Sequence, residues 1–470
     1  MPEASDIGTG LVVLSVVLFV ASWTRRKSTF LRALFIPVAV IGGFLALGLG
    51  PEGIGRLNDS HGVFSPRIFT VWEAIPGYLI NVMCASLLLG ERLPSLPKIW
   101  GLSAAHVIAG GVMSAGQFAI GGALVLLLLG PVFGMSSQAG ALIEMAFAGG
   151  HGTMAGLSGV LEEHGAGELV DVGLGLATIG MVSGVVLGTL LVNYAINSPS
   201  IPTVRTTQTS PEEELDIDHH RPAPDDPPLD EDTGMSQITN AFMYLGVSIF
   251  LAICMLQGLR WVTNQLGGTM FDHFPLFPFA ILGGVVVQLA GRRFAFEDQI
   301  NRRAVEALGG IAVDGIIICA IGTLSLAALG KNFMPLVILA VASISWSIFV
   351  AMVLGRYIFS QHYFEHSIAE FGESQGNVAT GFMMVDMVDP DRCTNTIIAY
   401  GYRQLITRPL IGGGFITALA VPAIASLGLA AFTAITAVLT VALAAWGIWR
   451  ARSEAAIQPL ETPRASRPSN

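Results

Sequence analysis

The chain has 470 residues, 52% hydrophobic and only 12% charged. That is about half the charge of an ordinary soluble domain, and with a mean hydropathy of +0.65 it excludes a soluble globular fold in favour of a polytopic membrane protein. The formal net charge of −10 arises largely in loops and points to no nucleic-acid partner.

Apolar runs of about 20 residues are long enough to cross a bilayer, and they recur along the chain. The first spans are predicted at 7–23, 34–50, 69–90 and 103–129, followed by an apolar hairpin at 138–160 and a span at 170–196. Residues 1–6 are acidic and no cleavage site follows the first run, so the sequence predicts a first span rather than a cleavable signal peptide. Residues 197–236 are rich in Pro, Asp and Glu and nearly devoid of apolar side chains, the composition of a disordered cytoplasmic linker. The layout then repeats: spans at 238–262, 274–290, 305–329 and 335–359, a hairpin at 366–388, and a span at 395–427. An extra span at 430–449 and a polar tail at 450–470 close the chain. The four cysteines, Cys84, Cys254, Cys319 and Cys393, show no C-x-x-C spacing and read as small packing residues.

The two halves, 7–196 and 237–428, also match locally. Pro37-Val-Ala-Val-Ile-Gly-Gly43 returns as Pro278-Phe-Ala-Ile-Leu-Gly-Gly284, and the same offset carries Glu73 onto Asp314. With the N-terminus outside, the basic residues leave only Arg56, Arg67, Arg260 and Lys331 on the outer side, a strong positive-inside asymmetry. The first hairpin then enters from outside and the second from inside. The expected fold is therefore an all-α polytopic membrane protein of two inverted-topology repeats. Each repeat has about five transmembrane helices plus a re-entrant hairpin, and one extra helix lies at the C-terminus.

Each hairpin carries a glycine-rich break, Ala148-Gly149-Gly150-His151-Gly152-Thr153 and Gly372-Glu-Ser-Gln-Gly-Asn-Val-Ala-Thr-Gly381. Glycine at this density interrupts a helix and bares backbone N–H and C=O groups, which hydrocarbon tolerates only where they are buried in protein or line a cavity. A half-helix N-terminus at Gly149–Gly152 offers N–H groups and a positive dipole end to a carboxylate, and bared carbonyls suit a hard cation. Ser374, Gln375, Gly376, Asn377 and Thr380 offer neutral partners in the second hairpin. Glu370 and Glu373 are either functional ionisable groups at membrane depth or solvated residues of a shallower hairpin. Gln117, mid-span, reaches either a ligand or a neighbouring backbone. Asp314 is an intramembrane acid and thereby a site candidate. Glu144 is either paired or protonated. Arg403 and Arg408 lie within the span at 395–427 and read as snorkelling, with a carboxylate clamp as the alternative. The remaining histidines, among them His106 and His366, share no metal-ligand spacing, and no phosphate loop or hydrolytic triad is present, so the chain reads as a non-enzyme without an organic or metal cofactor.

Gln117-Phe-Ala-Ile-Gly121, Ala148-Gly-Gly-His-Gly-Thr153, Gly376-Asn-Val-Ala-Thr380 and the Pro37–Gly43 segment together resemble the sodium/glutamate symporter family. The resemblance covers most of 7–428; Glu370, Glu373, Ser374, Gln375, Arg403, Arg408 and the terminal span differ from the family's uncharged second hairpin and usual layout. It implies a Na⁺-coupled symporter of glutamate or a related amino or carboxylic acid. The hairpin-bearing body would work by alternating access against a scaffold that forms a homodimer in the cell membrane. A passive channel or a substrate sensor on the same fold is the alternative. The site then comprises Gln117, Gly149, Gly150, His151, Gly152, Thr153, Ser374, Gln375, Gly376, Asn377 and Thr380 for substrate. Ala148, Asp314, Glu373 and Ala379 are assigned to the coupling ion.

Overall fold

The computed structural model describes residues 4–29, 31, 37–56, 61–90, 96–201, 203, 234–267, 275–376 and 378–457. Most of the segment expected to be a linker therefore lies outside the described residues. Every regular element among those described is helical. Among the described residues nine helices are long and apolar enough to cross a bilayer, which makes the chain a multi-pass membrane protein.

Three helices of each half build one body. α1 (Ala4–Lys27), α2 (Val38–Leu49) and α3 (Pro66–Ser86) come from the first half, and α9 (Gly234–Gln265), α10 (Phe277–Phe294) and α11 (Arg302–Gly322) from the second. The matched Gly-Gly pairs sit where these helices touch. A Cβ on Gly42 would lie 3.1 Å from Ile318 Cγ1 of α11, and one on Gly43 2.6 Å from Ile321 Cβ. A Cβ on Gly284 would lie 2.7 Å from the Ala85 carbonyl oxygen of α3. So α2 docks on α11 while α10 docks on α3, each through the small surface that lets membrane helices approach closely. Trp72 Nε1 of α3 donates to the Gly10 carbonyl of α1 at 3.0 Å, tying these helices together.

The second body holds the hairpins. Between the three-helix groups lie α4 (Leu96–Leu124), α5 (Leu142–Phe147), α6 (Gly150–Gly156), α7 (Ser158–Glu163) and α8 (Leu169–Asn197). After α11 come the short α12 (Leu326–Lys331), α13 (Phe333–Phe349), α14 (Tyr363–Gln375), α15 (Val378–Val388), α16 (Thr396–Thr407), α17 (Phe415–Leu427) and α18 (Leu429–Ile457). α4 and α13 each run into a π-helical turn, Val125–Leu129 and Val350–Leu354, and then into one final turn that begins at Gly130 or Gly355. The two π turns are 225 residues apart, 125 to 350, within one residue of the interval between Gly150 and Gly376 in the two hairpin breaks. π turns in a helix recur at functional sites, and here each leads directly into a hairpin.

Three sequence expectations change, the first being the predicted span at 305–329, which ends at Gly322 and is followed by the short α12. The predicted span at 395–427 is two helices, α16 and α17, separated by irregular backbone from 408 to 414. The predicted span at 274–290 is helical, but α10 ends in Arg292 and Arg293 and is not among the nine strongly apolar helices.

The Gly-Gly contacts make a stability test. Gly43→Val should overpack the α2–α11 contact and cost about 1–3 kcal/mol, read as a lower melting temperature in detergent. Gly77→Ala, in α3 with nothing within 4 Å of the added Cβ, should leave melting unchanged or raise it slightly.

Candidate functional site

Three breaks meet inside the second body. In the first hairpin, Ala148 and Gly149 both donate backbone N–H to the Glu144 carbonyl, at 3.1 and 3.0 Å, closing α5. Gly150 then takes φ +72°, a conformation open to glycine at little cost. In the second hairpin α14 ends at Gly376, and Asn377 lies outside the described residues. A Cβ on Gly150 would stand 3.6 Å from the Gly376 carbonyl oxygen, so the two breaks face each other. The third is the 408–414 segment, where Gly412 and Gly413 take φ +63° and +95°. A Cβ on Gly412 would lie 3.3 Å from the Ala148 carbonyl oxygen.

Side chains stitch the breaks together. Glu144, fully buried, accepts at Oε1 from Ser114 Oγ (2.9 Å), Thr417 Oγ1 (2.9 Å) and Gly412 N–H (3.0 Å). It thereby joins the first hairpin to α4, to the third break and to α17, which follows that break. Gln117 Nε2 of α4 donates to the Ser374 carbonyl at 3.3 Å and approaches Ser343 Oγ at 3.4 Å. Gln117 thus reaches a neighbouring backbone, and that backbone belongs to the second hairpin. Ser374 Oγ donates to Ser347 Oγ (3.2 Å) or to the Phe371 carbonyl (3.0 Å). Gln375 Oε1 accepts from Ser183 Oγ of α8 at 3.1 Å, and Gln375 seats against Gly180 and Gly184 of α8. Thr153 Oγ1 donates to the Gly149 carbonyl at 2.8 Å. Thr178 Oγ1 donates its one proton to the Leu174 carbonyl, so His151 Nε2, at 2.9 Å, is the donor to Thr178, and His151 Nδ1 is left as an acceptor.

A small cavity of about 20 Å³, room for about one water, opens where these parts meet. Its walls include Gly110 and Ser114 of α4, Ala148, Glu370, Glu373, Ser374, Arg403 and Gly412. Its ionic wall overturns two readings of the sequence. Arg403 does not snorkel: it is 4% exposed, its Nη1 bonds Glu373 Oε2, and its Nη2 lies 3.2 Å from Glu370 Oε2. Glu370, at 2% exposed, is not a solvated residue of a shallow hairpin. Arg408 caps α16 and is half-buried.

Of the residues assigned from sequence, Ala148, Glu373 and Ser374 line the cavity. Gly149, Gly150 and Gly376 form the facing breaks, and Thr380 Oγ1 lies 3.0 Å from where a Cβ on Gly376 would stand. Gly152 instead faces Ile80, Met83 and Ile316 of the first body. Glu373 has Arg403 and Gln404 Nε2, at 2.8 Å, as its partners. Asp314 is half-buried on α11 and is not part of the cavity wall. Ala379 belongs to α15. Sequence reasoning left Glu144, Glu370 and Arg403 open and passed over His106 and His366. The Gly412-Gly413-Gly414 run was the visible signal for the third break. Nothing local signals the histidine pair, whose members are 260 residues apart.

A family model described as "Sodium/glutamate symporter" matches residues 4–363. Two proteins of that same description, from Escherichia coli (strain K12) and Shigella flexneri, are each 25% identical over 355 residues, 74% of this chain and 79% of theirs. The family match stops at the first residue of α14, so the cavity's carboxylates and Arg403 lie beyond it.

Removing the guanidinium leaves two carboxylates buried together. Arg403→Met should cost about 3–5 kcal/mol in a denaturation assay. Glu373→Gln in the same chain should recover a large part of that loss, a coupling that a double-mutant cycle measures.

Proposed function

The chain belongs to the sodium/glutamate symporter family, and on that premise we propose that it is a secondary transporter coupling Na⁺ to uptake of glutamate or a related amino or carboxylic acid by alternating access. The observation that carries the reading is the meeting of the two hairpin breaks: Gly150 of one half stands against the Gly376 carbonyl of the other, beside a buried polar cavity. Transporter sites form where discontinuous helices of two repeats cross. The name of the two relatives, sodium/glutamate symporter, supports the substrate and the ion.

In this proposal the substrate occupies the space between the breaks. Its carboxylate faces the N–H groups of Gly149–Thr153 and the start of α15, with Gln117, Ser374, Gln375, Asn377 and Thr380 around it. Na⁺ takes carbonyl oxygens bared at the breaks, Ala148 among them, by the preference of hard cations for oxygen; Ala379 lies in the first turn of α15, where a carbonyl is used within the helix. Asp314 would serve the ion from the neighbouring body. The halves are inverted repeats with the N-terminus outside and the linker and C-terminus in the cytoplasm. The reciprocal docking of α2 on α11 and α10 on α3, the paired π turns and the basic-residue asymmetry support that arrangement. The first body is the scaffold and the homodimer surface; its α1 and α9 present large apolar side chains such as Phe19, Trp23, Phe250 and Trp261 outward.

Reconstituted protein should accumulate labelled glutamate on an inward Na⁺ gradient, and accumulation should collapse to background when K⁺ replaces Na⁺. Accumulation indifferent to that exchange would refute the Na⁺ coupling. His151→Ala and Thr153→Val should each slow uptake by about tenfold, ~1.4 kcal/mol of barrier. Unchanged rates in both would refute the site.

A further inference from the structure

A line of hydrogen bonds runs from the cavity wall to the end of the second hairpin. Glu370 Oε1 is 2.7 Å from His106 Nδ1, and His106 Nε2 is 2.8 Å from His366 Nδ1. His106, on α4, is 1% exposed. His366, in the first turns of α14, is half-buried and follows the exposed Gln361 and His362. At its inner end Glu370 faces Arg403, which also holds Glu373.

We propose that this line is a proton path to the substrate cavity, so that the transporter moves a proton together with its anionic substrate. The inference rests on the transport reading above and adds a second coupling ion to it.

The tautomers follow from the contacts. An ionised Glu370 only accepts, so His106 donates from Nδ1 and accepts at Nε2, and His366 donates from Nδ1 and accepts at Nε2. A proton arriving at His366 Nε2 makes that ring cationic. The His366 Nδ1–H bond breaks as a His106 Nε2–H bond forms. The His106 Nδ1–H bond then breaks as a Glu370 O–H bond forms. One proton has entered, both rings are neutral in their other tautomers, and Glu370 has lost its charge. Every step reverses.

That change matters at Arg403. With Glu370 and Glu373 both ionised, the cluster with Arg403 carries a net charge of −1 and repels a substrate carboxylate. Neutralising Glu370 brings the cluster from −1 to zero and frees the guanidinium edge that faced Glu370, lifting a repulsion that low dielectric makes strong. Substrate carboxylate and proton therefore arrive and leave together. Arg403 Nε, buried and without a hydrogen-bond partner among the described residues, is a donor available to that carboxylate.

The other charged and titratable groups around the path leave it this role. From α14 come Glu365 and Glu373, and from the turn before it His362. α16 supplies Arg403 and Tyr400, whose ring lies 5.8 Å from that of His106. Asp389, just past α15, acts electrostatically on His366. Arg356, in the final turn of α13, lies over the Tyr363 ring at 5.4 Å. α18, packed along α4, brings apolar Leu443 and Gly447 to this stretch.

The test uses the full chain in vesicles with a pH dye in the lumen and labelled L-glutamate as the probe. In the natural protein, Na⁺-driven glutamate uptake should acidify the lumen, and an acid exterior should raise accumulation. His106→Gln and His366→Gln keep a polar side chain but cannot relay; each should lower the protons taken up per glutamate by about tenfold or more. Glu370→Gln, fixed in the neutral state, should bind glutamate independently of pH. Na⁺-driven uptake without acidification, or an unchanged proton ratio in both histidine variants, overturns the relay and leaves the symporter standing. Uptake absent under every gradient overturns both. Should His106→Gln fail to fold, His366→Gln, at the half-buried end, carries the test.

Discussion

A helix interrupted inside an apolar environment leaves backbone donors and acceptors that no water will meet, and this constraint shapes the whole second body. The chain answers it by bringing its interruptions together. The third break gives its Gly412 N–H to the Glu144 carboxylate of the first hairpin. The second break has the Ser374 carbonyl met by Gln117 of α4. The first break closes onto its own Glu144 carbonyl and rests beside Gly376 and Gly412. The second and third interruptions are thus satisfied by groups from another element, and the first lies against both. The long helices α4 and α8 serve as the walls that hold this arrangement, α4 by its polar side chains and α8 by its glycine face.

The charges follow a second rule. A guanidinium and two carboxylates out of water are often no more stabilising than apolar side chains of the same size, so packing alone does not account for Arg403, Glu370 and Glu373. Their placement is also one-sided. Residues 101–204, which include all of the first hairpin and α8, contain no Lys or Arg. The first half brings carbonyls, N–H groups, hydroxyls and Glu144 to the centre, and the second half brings Arg403, the only buried Lys or Arg among the described residues. An anionic substrate lying between the halves would meet dipoles on one side and a switchable ionic cluster on the other.

Much of the fold was legible because the bilayer imposes a coarse grammar. Run length gave the spans, and glycine density inside apolar runs gave both hairpin breaks at Ala148–Gly149 and Gly376. The same grammar concealed the third. Gly412-Gly413-Gly414, the one local signal, falls inside a run apolar enough to pass as one span, and the φ values of Gly412 and Gly413 mark the chain as turned there. Site chemistry was less legible because it is made by long-range meetings. His106 with His366, Arg403 with Glu370, and Glu144 with Gly412 join residues far apart in sequence, and no local spacing encodes them. Arg403 read as a snorkelling residue because its span looked continuous. Once α16 ends at Thr407, the guanidinium has a buried pair of carboxylates within reach. Asp314 was picked for its depth in a span, but depth does not fix which body a residue serves.

The division into two bodies bears on how the site would survive motion. Every member of the ionic cluster and of the histidine line comes from α4, α14 or α16, all within the hairpin body. Where α6 passes the other body, the contacts are apolar and lean: Gly152 beside Ile80, Met83 and Ile316, and Gly156 against Ile80 and Phe277. Separating buried charges is expensive, whereas sliding a glycine-faced helix over aliphatic side chains exchanges one set of weak contacts for another. Alternating access by displacement of the hairpin body would keep Arg403, Glu370, Glu373, His106 and His366 together throughout. A hinge between α4 and α14 would instead pull His106 from Glu370 in every cycle. The placement of the charges thus favours movement of the whole hairpin body against α1–α3 and α9–α11, with the proton line travelling intact.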